Sequence, residues 1–107
     1  VLHQTYAYRS APERQLRNAE ALRRAMGESG RRILYLAGHV HRFSYLADPA
    51  YGNLRHLTTG AFFRHDPIRQ RQGEFTEIRV EGGEFHVAQH VYYGEWRRSD
   101  ASLHGAV

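Results

Sequence analysis

Apolar residues recur at three- and four-residue spacing from Leu16 through Ala19, Leu22 and Ala25 to Met26, with arginines between them. An apolar stripe on an otherwise charged segment predicts an amphipathic helix. Ser10-Ala11-Pro12-Glu13 supplies a start: Ser10 can cap, Pro12 suits the first turn, and Glu13 completes a capping box. The stretch from Gly27 to Gly30 stops the helix. Ile33-Leu34-Tyr35-Leu36-Ala37 then forms a continuous apolar run, the mark of a strand buried on both faces and paired in parallel. Val1-Leu2 reads as the tail of an earlier strand. Strand, helix, strand is a βαβ unit, whose crossover is right-handed.

The remainder reads as β-rich, so the expected class is α/β at the start and α+β for the chain as a whole. His56 to Phe63 is a strand candidate. Phe75 to Glu81 and Glu84 to Tyr93 flank Gly82-Gly83, a two-residue hairpin turn. Arg42 to Leu54 is expected to be a polar and aromatic loop, with turns at Asp48-Pro49 and Gly52-Asn53. Arg64 to Gly73 is a polar connection. Tyr92, Tyr93 and Trp96 are expected to pack the sheet edge or another part of the domain. On this reading residues 1–96 belong to one domain and residues 97–107 fray.

Composition narrows the chemistry. The 107 residues make one small domain or part of a larger one, and a hydrophobic content of 41% suffices for a core. A start at Val1 suggests a chain cut from something longer. Cysteine is absent, which excludes disulfides, a thiolate nucleophile and cysteine-type zinc sites. No apolar run approaches the ~20 residues that span a membrane, so a soluble protein is the expectation; the compartment stays open, with the cytoplasm favoured. The net charge is +4, and all 15 basic residues are arginine, spread along the chain. That charge can attract phosphate groups, but no motif for nucleic acid accompanies it.

The most informative stretch is Gly38-His39-Val40-His41. Histidines at i and i+2 of an extended backbone project to one side, and neutral imidazole binds several divalent ions. The βαβ reading brings His3 to the C-terminal end of one strand and His39 just past the end of the next. Ligands of open α/β sheets bind beyond such ends. His3, His39 and His41 are therefore the candidate metal ligands, and Arg42 is a candidate contact for a phosphate oxygen. His56, His65, His86, His90 and His104 read as structural or solvated. Asp48 and Asp66, beside prolines, read as turn caps.

Val1-Leu2-His3, a helix, and then Leu34 through His41 resemble the C-terminal half of calcineurin-like metallophosphoesterases. That family has a lone histidine after one strand and Gly-His-x-His after the next. The resemblance implies a four-layer αββα sandwich, of which this chain would give the βαβ edge and the β-rich closing hairpin. It implies two divalent metal ions, of manganese, iron, zinc or cobalt, with His3 and His39 on one and His41 on the other. It implies hydrolysis of a phosphoester substrate by metal-activated hydroxide.

The family's Asp-x-His, Gly-Asp-x-x-Asp and Gly-Asn-His motifs, which carry its carboxylate ligands, are absent in that order; Gly52-Asn53-Leu54 reads as a turn. Gln4-Thr5-Tyr6 stands where the family often has proline. The expected partner is thus a missing N-terminal part of the same domain, without which the chain is inactive. Two other readings remain open: a non-catalytic metal- or phosphate-binding β-rich module, and a structural remnant.

Overall fold

The computed structural model describes residues 17–38, 42–62 and 73–104. They form one helix and six strands: α1 (Ala19–Glu28), β1 (Ile33–Ala37), β2 (Ser44–Ala47), β3 (Leu54–Thr58), β4 (Gly73–Glu81), β5 (Glu84–Tyr92) and β6 (Trp96–Asp100). The class is mixed α+β, mostly strands, in two three-stranded sheets ordered β1-β3-β2 and β4-β5-β6.

The first sheet is mixed. β1 pairs parallel with β3, placing Ile33 opposite Leu54 and Ala37 opposite Thr58. β2 returns antiparallel on the other side of β3, with Tyr45 opposite Leu57. Parallel pairing of β1 was expected with the strand ending at Val1-Leu2, which lies outside the described residues; the parallel partner found is β3. Burial on both faces was not met there: Leu36 is 54% exposed. The doubly covered strand is β3, in which Leu54 and Leu57 are fully buried. It lies between two neighbours, whereas β1 lies at an edge of the described sheet.

β2 corrects the reading of Arg42 to Leu54 as loop throughout. Its four residues, Ser44-Tyr45-Leu46-Ala47, are too few to show a period. Their pairing with β3 makes them a strand. The strand read at His56 to Phe63 lies slightly earlier, at Leu54–Thr58.

Register sorts side chains into faces, because cross-strand partners point the same way. Leu34, Leu57 and Tyr45 share one face and meet Val87 of β5, with Phe43 and Ala101 packed alongside. Tyr35 and His56 share the other face, where their rings approach to 6.4 Å. The helix belongs to that second side. Its Arg23 reaches Asp48, which also bonds His56, and a Cβ added to its buried Gly27 would fall on the ring of Tyr51. Asn53 Nδ2 donates to Met26 and Arg31 carbonyls, closing the helix C-terminus. Helix, first sheet and second sheet therefore stack in that order. The helix start read at Ser10 to Glu13, and Val1-Leu2, lie outside the described residues.

The second sheet is a long hairpin with a third strand. Gly82 and Gly83 have φ of 57° and 77°, the left-handed pair that matches hairpin twist. Of the tail read at 97–107, residues 97–104 are described, and Trp96–Asp100 pairs with β5 from Tyr92 to Ala88. Ala101 N–H then donates to Val87 O, and His104 exchanges backbone hydrogen bonds with Tyr45 and Ala47. The polar pattern of Arg97-Arg98-Ser99-Asp100 concealed a strand whose residues all stay exposed at an edge.

Candidate functional site at the C-terminal rim of the first sheet

β1 and β3 are parallel, so their carboxyl ends form one rim. Gly38 leaves β1 at this rim, and a Cβ there would meet nothing within 4 Å. Packing against the described residues does not require glycine at this point. Thr59 N–H donates to Ala37 O, and Thr58 Oγ1 donates to Arg42 O at 2.7 Å. Ser44 Oγ and Thr58 Oγ1 lie 2.7 Å apart. Both flanks of the Gly-His-Val-His stretch are therefore tied to the last residues of β3. Arg42 is exposed beside the rim.

His3, His39 and His41 lie outside the described residues, as do His65 and Asp66. Among the described residues, no group of three or more histidine, cysteine, aspartate or glutamate side chains could hold a metal ion. None of the described helices is long and apolar enough to cross a membrane.

On the helix side of the sheet, towards the amino end of β3, lies a buried polar network. The Asp48 side chain is fully buried. Its Oδ2 accepts from Arg23 Nε at 2.7 Å and lies 2.8 Å from His56 Nε2. Its Oδ1 accepts from Arg23 Nη2 and from the amides of Ala50 and Tyr51. Burial acts to raise the Asp48 pKa. The hydrogen bonds from Arg23, His56 and the two amides outweigh it and hold the carboxyl far below the ordinary carboxylate range. The Arg23 guanidinium also sits 5.4 Å from the centre of the Tyr51 ring.

The turn-cap reading of Asp48 holds. Its partners Arg23 and His56 went unread, although His56 offered a signal. It lies between Leu54 and Leu57 on a strand, where a polar side chain must find a partner. Asp48 and His56 are buried and Arg23 is half-buried, so the network acts as a structural clamp between helix, turn and sheet.

No protein family, curated protein or solved structure matches the chain.

The outer face of the second sheet is the other conspicuous surface. Phe62 stacks on Trp96 at 5.7 Å, Phe75 stacks on His90 at 4.3 Å, and Trp96 also meets Phe75 and Tyr92. Phe62, Phe75 and Trp96 all remain exposed. Beside them Glu77 binds His90 and Arg98. Hydrogen bonds from His90 and Arg98 lower the Glu77 pKa. His86 is exposed and His90 half-buried, as expected of a sheet surface.

Proposed function

We propose that the chain is the C-terminal part of a metal-dependent phosphoesterase of the calcineurin-like kind. His3, His39 and His41 are its share of the metal ligands, and Arg42 is a contact for a substrate phosphoryl oxygen. The observation that carries this reading is the double anchoring of the Gly-His-Val-His stretch. One flank leaves parallel strand β1 at Ala37, the other is held at Arg42, and both are bonded to Thr58-Thr59. A histidine pair begun and ended at that rim is well placed for a ligand beyond the carboxyl ends of parallel strands.

Two further observations support it. The stacking of helix, first sheet and second sheet is compatible with three layers of an αββα sandwich, whose fourth layer would rest on the exposed Phe62, Phe75 and Trp96. In addition, among the described residues β1 pairs with β3 on one side only, which is compatible with a further parallel strand ending at His3.

When bound, a pair of divalent ions would supply an activated hydroxide and polarise the phosphoryl oxygens. The residues of this chain would contribute neutral imidazole donors and an orienting guanidinium. Imidazoles cannot offset the repulsion between two dications, so bridging carboxylates must come from elsewhere in the parent domain.

The test is hydrolysis of bis(nitrophenyl) phosphate with added manganese. The isolated chain should be nearly inactive, the parent protein active, and His39→Ala should abolish the parent's activity. A parent that keeps full activity after His39→Ala would refute the assignment.

A further inference from the structure

The opposite rim of the first sheet carries a different constellation. Arg32 immediately precedes β1, and Arg55 is the second residue of β3. Leu34 pairs with Arg55, so Arg32, Leu34 and Arg55 share the face turned towards the second sheet. There, between the β2–β3 turn and the tip of the β4–β5 hairpin, lies a cavity of about 410 Å³. Arg32, Asn53, Arg55, Gly83, Glu84 and Phe85 line it.

The two arginines differ from those held in ion pairs. Arg23, Arg79, Arg97 and Arg98 each pair with a carboxylate. Arg32 instead donates from Nη1 to Gly83 O at 3.1 Å, and Arg55 donates from Nη1 to Tyr45 Oη at 2.8 Å. These neutral acceptors orient each guanidinium without cancelling its charge. Each guanidinium has five N–H donors, so most remain for a ligand. Planar donor forks of this kind match phosphate oxygens. Glu84 adds an acceptor-only group to the same cavity, which suits a hydroxyl-bearing ligand and disfavours a bare anion. Phe85 adds an apolar wall.

We propose that this cavity binds a small hydroxylated phosphomonoester, with Arg32 and Arg55 on the phosphate and Glu84 on a hydroxyl. The site is independent of the phosphoesterase reading. It lies at the amino ends of β1 and β3, roughly 15 Å along the strands from Gly38. A ligand there would join the β2–β3 turn to the β4–β5 hairpin, and so the two sheets.

The test is titration of the full chain with glycerol phosphate and, separately, inorganic phosphate. A chelator is present throughout, so that metal-held phosphate cannot contribute. Glycerol phosphate should bind more tightly than inorganic phosphate and shift the amide resonances of Gly83 and Phe85. Arg32→Gln should weaken binding about 10-fold, the scale of a lost charge-assisted hydrogen bond, whereas Arg24→Gln on α1 should not. Glu84→Gln should remove the preference for glycerol phosphate. Arg32 is exposed, so its substitution leaves the fold intact; Arg55→Gln, with folding checked by circular dichroism, should weaken binding likewise. Absence of millimolar binding, equal binding of the two anions, or indifference to Arg32→Gln would overturn the proposal.

Discussion

Strands β3 and β5 hold equivalent positions, each in the middle of a three-stranded sheet, yet their surroundings differ. β3 is covered on both faces: Leu54 and Leu57 are fully buried, and His56 and Thr58 nearly so. Its polar side chains therefore find partners inside, His56 on Asp48 and Thr58 on Ser44 and Arg42. β5 buries Val87 and Val91 on the side towards the first sheet and turns His86 and His90 to an open face. The ion pairs there, Glu77 with His90 and Arg98, stay at the surface. The same side-chain chemistry is thus a structural necessity in one sheet and a surface feature in the other. Buried pairs are costly to break and solvated ones are not.

The largest expected effect comes from breaking the clamp in the first sheet. Asp48→Ala should lower the unfolding free energy by about 3–5 kcal/mol, the usual result of leaving a buried partner uncompensated; urea denaturation reads this directly. Glu77→Ala in the second sheet is the matched control and should scarcely move the midpoint. Equal losses would erase the contrast between the sheets.

Acid sensitivity sharpens the same point. The Asp48 pKa is depressed in the folded state, so its contribution to stability is complete above the unfolded carboxylate pKa of about 4. The contribution is lost as pH falls from there towards the folded value. Stability should decline below about pH 4, and Asp48→Asn should remove most of that dependence. An unchanged acid limb in the variant would show that other carboxylates dominate.

Gly27→Ala should destabilise by about 1–3 kcal/mol despite better helix propensity, because the methyl group falls on Tyr51 and overpacks the helix contact. A smaller loss should come from Gly83→Ala. It strains a left-handed residue by about 1 kcal/mol but meets no neighbour within 4 Å. Hydrogen exchange should localise that loss to the hairpin tip.

The second sheet was largely readable from the residues, because Gly82-Gly83 sits between two long runs and its turn chemistry is local. The first sheet was less so. β1 announced itself through five apolar residues. β2 is short and takes its identity from β3, a partner across a turn. β6 consists of exposed polar residues whose role is set by hydrogen bonding along an edge. Such elements depend on tertiary pairing, which no local pattern encodes. The candidate site follows the same division. Gly38-His39-Val40-His41 is visible as a motif, whereas the ties from Thr58 and Thr59 that hold its flanks, and the cavity between Arg32 and Arg55, emerge only when the strands are in register.

The central claim is that the Gly38–Arg42 segment carries metal-binding histidines at the carboxyl rim of the first sheet. Its most direct test is titration of the isolated chain with zinc, followed by the imidazole resonances of all its histidines. His39 and His41 should shift first and together, His3 with them, with weak binding of no more than one ion. His56, His86, His90 and His104 should stay unchanged at that stage, and His39→Ala should abolish the response. Zinc binding that bypasses His39 and His41, or persists undiminished in His39→Ala, would contradict the claim.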